Sequence, residues 1–295
     1  MTGRVVLVVG ASSGIGLATA AAFAARDDDV VLVSRSGEAL DAAEKICREA
    51  GTGALDVIAD DIGDPGGAGR IVGYVMERHG RIDVVVHSAT VMAYGTVEKM
   101  PADVFNSVVD TAIHGTLHLA QAVLPVLLRQ HSGVFVGVNS LLGSVTVPQM
   151  GAYTAAKWGQ RALLRTLQQE TRDEPGVHVC IVSPGSVNTP VYYQAANYAG
   201  RAMRPPVPVL SPARVAAAIV RLADRPRRHV SVRVGPGNPL IIAAFRCVPR
   251  LYDLLVGPLF RLVGISRTSV EATAGNVFEP VPALERTRGR WPVKQ

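Results

Sequence analysis

Apolar residues along this chain alternate between two patterns. Short valine-rich runs, RVVLVV (4–9), VVLVS (30–34), LDVIA (55–59), DVVVHS (83–88), VFVGVN (134–139), VHVCIVS (177–183) and HVSVRV (229–234), predict strands. Between them, 15–25, 38–50, 67–79, 102–129, 151–172 and 212–224 carry helical spacing. Continuous apolar strands separated by helices are buried on both faces, which is the pattern of a parallel sheet. The expected fold is α/β, a doubly wound parallel sheet of about seven strands with helices on both faces. Such sheets bind ligands at the carboxyl ends of their strands. Beyond residue 234 the alternation stops. The apolar stretch 236–265 contains Pro239, Pro249 and Pro258, which limit a continuous helix, and the last thirty residues look irregular. The reading is therefore one domain over 1–234 with an appendage over 235–295.

Composition narrows the class. An apolar share of 48% excludes disorder, and Cys47, Cys180 and Cys247 lie too far apart for a disulfide framework or a metal-ligand spacing. The apolar run after Met1 reads as the first strand and not as a signal peptide, so a cytoplasmic protein is expected. Charge is uneven: residues 201–295 hold 16 basic and 5 acidic residues, against 14 and 19 in residues 1–200. A basic C-terminal part faces a phospholipid surface, an acidic partner or the acidic body of its own fold. Nucleic acid is not expected, because no reading helix or stacking motif accompanies the arginines.

The first strand runs into VGASSGIG. Gly10, Gly14 and Gly16 stand where the chain turns, approaches a diphosphate and packs a helix on the sheet. Ser12 and Ser13 add hydroxyls, and the helix opening near Ile15 aims its N-terminus at the same place. The GxxxxGK[ST] loop of ATP hydrolysis is absent. In Tyr153-Thr-Ala-Ala-Lys157 a phenol and an ammonium lie four apart on one helical face. A free tyrosine titrates near about 10, so an adjacent ammonium is needed to make it a usable base. Ser140 precedes it by thirteen residues at a strand end.

With these motifs the sequence resembles the short-chain dehydrogenase/reductase family over roughly residues 4–225. Val9 replaces the threonine of the family's TGxxxGIG. The resemblance implies a Rossmann-type NAD(P)(H) site and a hydride-transfer oxidoreductase with Ser140, Tyr153 and Lys157 as its catalytic residues. It further implies cofactor contacts from Gly10, Ser12, Ser13, Gly14, Ile15 and Gly16, from Asp61 and Ile62 at the adenine, and from Ser88 and Ala89. Tyr153 and Lys157 join these, with Pro184, Gly185, Val187 and Thr189 shaping the nicotinamide pocket. NAD-preferring members place an aspartate where this chain has Ser34. Here Ser34, Arg35 and Ser36 follow one another, and Arg35 suits a phosphate, so NADP(H) is expected over NAD(H).

Two departures stand out. The family's NNAG is His87-Ser88-Ala89-Thr90, and Ala112 stands where an asparagine holds the water of a proton relay. His114 and His118 read as surface or packing residues. A lipophilic alcohol or ketone is the expected substrate, beneath a loop carrying Tyr192, Tyr193, Tyr198 and Met203, in a homo-oligomer. A non-catalytic NADP(H)-sensing protein is the alternative class, and a dehydratase or epimerase on the same scaffold is a third. In the appendage, Arg246, Arg250, Asp253, Gly257 and Arg261 form one stripe among leucines, so 238–265 is expected either to lie on a membrane surface or to pack on the sheet or a second subunit.

Overall fold

The computed structural model describes residues 3–226, 231–235 and 237–293. Its first part runs β1 (Val5–Val9), α1 (Gly14–Ala24), β2 (Asp29–Ser34), α2 (Gly37–Ala50), β3 (Leu55–Ala59), α3 (Gly67–His79) and β4 (Val84–His87). Then come β5 (Ala93–Tyr94), α4 (Ala102–Val109), α5 (Gly115–Gln130), β6 (Gly133–Val138), α6 (Gly151–Glu170) and β7 (Val177–Pro184). The chain closes with α7 (Val191–Gln194), β8 (Ala196–Asn197), β9 (Arg201–Met203), α8 (Pro212–Asp224), β10 (Ser231–Val234), α9 (Asn238–Cys247), α10 (Pro249–Gly264) and β11 (Ile265–Ser269).

Seven strands form one parallel sheet in the order β3-β2-β1-β4-β6-β7-β10. The period of two along β1 sorts its side chains between two cores. Val6 and Val8 join residues of α1, α2 and α8, while Val5, Leu7 and Val9 join residues of α3, α5 and α6. Both faces are covered, which is why the strands read as unbroken apolar runs. The strand order reverses between β1 and β4, and the crevice above that point is where such a sheet takes its ligand.

Two expectations change. The stretch 102–129 is not one α-helix: a single turn of π-helix, Asp110–His114, separates α4 from α5, with the Gly115 amide donating to the Asp110 carbonyl. The same turn leaves the Ala112 carbonyl to accept the Thr116 hydroxyl at 2.6 Å. Ala102–Gln130 is long and apolar enough to cross a membrane by length and composition, yet it packs against α3 and α6. In the appendage, Pro249 opens α10 at its first turn, where no amide is needed, and Pro258 sits inside α10 without ending it. Pro258 and Leu254, one turn earlier, are both exposed, so the carbonyl that the ring leaves unpaired is not in the core. Of the expected strand 229–234, residues 231–234 form β10, and 229 and 230 lie outside the described residues, as does Pro236.

The appendage returns to the body of the fold. β11 pairs antiparallel with β9, Thr273 bridges to Asn197, and the described chain beyond it is irregular, with a turn at Gly275–Asn276, bends, and a 3-10 turn at Pro282–Leu284.

Candidate active site

The turn after β1 is built around glycine. Gly10 has φ +85°, and a Cβ on it would lie 2.5 Å from the Ala89 amide nitrogen; one on Gly16 would lie 1.9 Å from the Gly10 carbonyl. Only glycine permits this approach of β1, α1 and the end of β4. Ser13 flanks α1 at its N-terminus without capping it through its side chain. A cavity of about 610 Å³ opens above the turn, within the usual range for small-molecule sites.

That cavity gathers most of the residues singled out in the sequence. Gly10, Ser12, Ser13, Gly14 and Ile15 line it at the turn, and Ser34, Arg35, Asp61, Ile62, Ser88 and Ala89 line it above β2, β3 and β4. Ser140, Tyr153, Lys157, Pro184, Gly185, Val187 and Thr189 line its other end. Gly16 and Ser36 do not. Gly16 packs beneath the turn, and Ser36 is buried as the N-cap of α2, accepting from the Ala39 amide at 3.2 Å. Asp61 accepts from the Gly63 amide at 2.8 Å. Of the aromatic loop residues, Tyr192 alone faces the cavity; Tyr198 packs in the cluster around α4, and Tyr193 lies under Arg290. His114 is exposed against Asp110 and stacks on His118.

Tyr153 and Lys157 lie one turn apart on α6, with Lys157 Nζ 5.7 Å from the centre of the Tyr153 ring. Tyr153 is hydrogen-bonded to Ser140, whose Oγ also accepts from the Leu142 amide at 3.1 Å. Burial pushes the Tyr153 phenol well above its ordinary value, and the Ser140 contact offsets part of that rise. Burial also brings the Lys157 ammonium down to about 7. In the closed site, desolvation outweighs the lowering of the phenol that the sequence reading assigned to Lys157. His87, buried at the end of β4, is held down to about 3 by burial and by the Lys157 charge, and is neutral.

Lys157 has a partner that the sequence reading missed. Its Nζ donates to the Val138 carbonyl at 3.1 Å and to Gln160 Oε1 at 3.0 Å. Gln160 Oε1 also accepts from Asn139 Nδ2 at 3.0 Å, and Gln160 Nε2 donates to Thr116 Oγ at 3.1 Å. A buried polar chain thus runs from the ammonium through Gln160 and Thr116 to the Ala112 carbonyl in the π turn. Gln160 reaches the backbone of Ala112, where the asparagine was expected, only through Thr116. Ala112 itself is buried in an apolar cluster with Val108, Ala152, Ala156 and Val277.

Comparison with known proteins agrees with this geometry. Residues 4–197 match the short chain dehydrogenase family, so the chain belongs to that family. It is 33% identical over 234 residues to a sepiapterin reductase of Chlorobaculum tepidum, covering 77% of this chain and 93% of that one. It is 27% identical over 201 residues to the bovine dehydrogenase/reductase SDR family member 7B, covering 66% and 62%. Among solved structures, a metagenomic short-chain oxidoreductase in complex with NADP superposes with a TM-score of 0.68 at 28% identity, covering 80% of this chain and 99% of that one. A short-chain dehydrogenase from Streptomyces avermitilis does so with 0.74 at 26% identity, covering 86% and 96%. The chain is an oxidoreductase of the short-chain dehydrogenase/reductase family, built on a Rossmann-type sheet.

Proposed function

We propose that this enzyme transfers a hydride between NADP(H) and a lipophilic alcohol or ketone, with Tyr153 moving the proton. One observation carries the reading: Ser140, Tyr153 and Lys157 share a single cavity with the glycine turn at one end and an aliphatic wall at the other. The wall consists of Leu251, Leu255, Val256, Leu259 and Val263 from α10 with Leu240 and Ile241 from α9. When bound, the nicotinamide supplies or takes the hydride. In the reducing direction the Tyr153 hydroxyl gives its proton to the substrate oxygen, which Ser140 holds. Lys157, fixed by Gln160 and the Val138 carbonyl, stabilises the phenolate that remains. NADP(H) is favoured because Ser34 presents no carboxylate to a 2′-phosphate. The structural relative solved with NADP points the same way. The intact triad weighs against a protein that only senses the cofactor. A nicotinamide-fluorescence assay over a panel of lipophilic ketones and alcohols tests the proposal. Tight NADPH binding without turnover of any of them would favour the sensing alternative.

We also propose that α9 and α10 rest on an anionic phospholipid surface, from which such a substrate enters. Leu251, Leu254, Leu255, Leu259 and Leu262 are all exposed and, with Pro258, fall on one face of α10 spanning about 140° at 100° per residue. Arg250 and Arg261 edge that face, which is the charge that anionic headgroups attract. Leu251, Leu255 and Leu259 also line the cavity, so its rim and the apolar face are continuous. At 10 and 16 residues, the two helices fall short of the ~20 needed to span a bilayer. The full chain is expected to float with phosphatidylglycerol vesicles at low salt, and Leu254→Asp/Leu262→Asp, outside the cavity, is expected to stay behind. A native chain that remains in the soluble fraction refutes the proposal, and a dimer dissociated by the same pair of substitutions would assign the face to a second copy.

A further inference from the structure

Residues 285–291 sit on the glycine turn itself. The Arg286 carbonyl accepts the Gly14 amide at 3.0 Å, and the Glu285 carboxylate accepts the Ser12 hydroxyl. These are two of the donors that the turn offers to a diphosphate. Each group has a single hydrogen to give, so a phosphate oxygen and the segment cannot both hold it. The match is one of chemistry as well as of place. A carboxylate and a peptide carbonyl set oxygen acceptors, one of them negatively charged, against the N-terminus of α1, as a phosphate does.

The two ends of the segment are held differently. At its start the Val277 side chain is fully buried in the cluster around α4. Arg35 takes three consecutive carbonyls there: Nη2 donates to Asn276 at 2.6 Å, and Nη1 donates to Val277 at 3.1 Å and to Phe278 at 3.2 Å. That end is an anchor. Further on, only hydrogen bonds and close fit hold the chain. The Gly289 and Trp291 amides donate to Asn188, to its carbonyl at 3.0 Å and to its Oδ1 at 3.1 Å. A Cβ on Gly289 would lie 2.7 Å from Asn188 Oδ1 and 2.8 Å from the Thr189 carbonyl, so glycine permits the approach. Glu285 is seated at a cost: its Oε2 is buried with no hydrogen-bond partner among the described residues, and burial raises its pKa. An unpaired buried oxygen loses its hydration without return, which makes this end the one that lifts.

We infer that residues 285–289 are an autoinhibitory plug: they occupy the diphosphate subsite as an internal competitor, and the dinucleotide binds only to chains in which they have lifted. The inference rests on the proposed dinucleotide function of the cleft. Arg35 and Val277 keep the near end in place, so the lifted plug stays tethered beside the subsite and refills it when the cofactor leaves. A ligand's apparent dissociation constant is its intrinsic value divided by the fraction of chains able to bind it. A plug seated in about nine chains of ten therefore weakens binding about tenfold. It weakens NADPH and NADH alike, because the diphosphate is common to both.

The test uses the full chain. Hydrogen–deuterium exchange follows peptides spanning residues 283–291 with and without saturating NADPH, and nicotinamide fluorescence gives the dissociation constants of NADPH and NADH. Bound NADPH is expected to speed exchange of the Gly289 and Trp291 amides, which lose their Asn188 acceptors. Slower or unchanged exchange there, in a chain that binds NADPH, overturns the plug and leaves the dinucleotide reading standing. Gly289→Val drives a side chain into Asn188 and the Thr189 carbonyl, lies outside the cavity and keeps the net charge. It is expected to tighten both nucleotides by about tenfold, or about 1.4 kcal/mol, a gain that a damaged fold does not produce. Unchanged or weaker binding by folded Gly289→Val also overturns the plug. If that variant does not fold, the exchange data from the native chain decide. If neither the native chain nor Gly289→Val binds either nucleotide, the dinucleotide reading fails and the plug with it.

Discussion

Replacing Gln160 by leucine removes the polar partner of Lys157 while keeping nearly the same volume in a site with no solvent access. The surrounding contacts confine the damage. Asn139 Nδ2 retains the Lys157 carbonyl at 2.9 Å, and the Thr116 hydroxyl retains the Ala112 carbonyl. Lys157 Nζ is left with the Val138 carbonyl alone among the described residues. A hydrogen bond to a charged group contributes about 1.5–3 kcal/mol, so the loss falls on the ammonium and pushes its pKa further below 7. The sign of the pH effect follows. Lys157 titrates near 7 in the folded protein against an ordinary 10.5, so between those values the unfolded chain binds more protons. This group therefore makes native stability rise with pH across that window, by up to about 1.4 kcal/mol per pH unit, and adds no slope below 7. In Gln160→Leu the slope continues below pH 7. Urea unfolding from pH 5.5 to 10 measures it, and the variant-minus-native difference cancels the other titrating groups. At pH 6 the variant is expected to be less stable by about 1–1.4 kcal/mol, because it can shed the proton one unit below the native pKa, with the gap widening at lower pH and narrowing as pH rises. A constant gap across the range, or none at pH 6, would mean that Gln160 does not hold the charged ammonium.

Three other substitutions probe the site. Tyr153→Phe is expected to lower turnover by at least ~100-fold, the least that acid–base catalysis contributes, with NADPH affinity within about twofold of native by fluorescence titration; near-native turnover would remove Tyr153 from the chemistry. Ser34→Asp is expected to weaken NADPH by tenfold or more relative to NADH, because facing like charges cost several kcal/mol; an unchanged ratio of dissociation constants would refute the NADP(H) preference. Ala112→Asn forces an amide into an apolar cluster and is expected to destabilise the protein by about 1–3 kcal/mol in urea unfolding, whereas a gain in activity without that loss would show an open relay position.

What was legible in the sequence is what is local. The glycine turn, the Tyr153–Lys157 spacing and the strand ends of Ser34, Asp61 and Ser140 each depend on a few consecutive residues and on sheet or helix period, so the strands and the catalytic end of the cavity could be placed by reading alone. Helix termini likewise came within two residues wherever glycine or proline marked them. The π turn at Asp110–His114 was hidden because it lengthens one turn without changing which residues are apolar. Gln160 was hidden for another reason: in YTAAKWGQ it reads as an ordinary polar helix residue. It becomes a ligand of Lys157 only because Asn139 and Thr116, from elsewhere in the chain, enclose it.

Arg35 shows the same limit at longer range, and with it the residue's meaning changes. At the end of β2, next to a serine in place of an acid, a guanidinium reads as a phosphate ligand. That reading uses three residues. Its acceptors in the structure are backbone carbonyls 241 to 243 positions later, and no side chain announces them. The irregular tail was set aside because it lacks periodicity, yet a segment that needs no core of its own is free to spend its backbone on hydrogen bonds to others. Its irregular course leaves the carbonyls of Asn276, Val277, Phe278 and Arg286 to Arg35 and Gly14. The absence of regular structure after residue 269, which argued against a separate domain, is thus the physical property that lets this segment serve as the outer wall of the site.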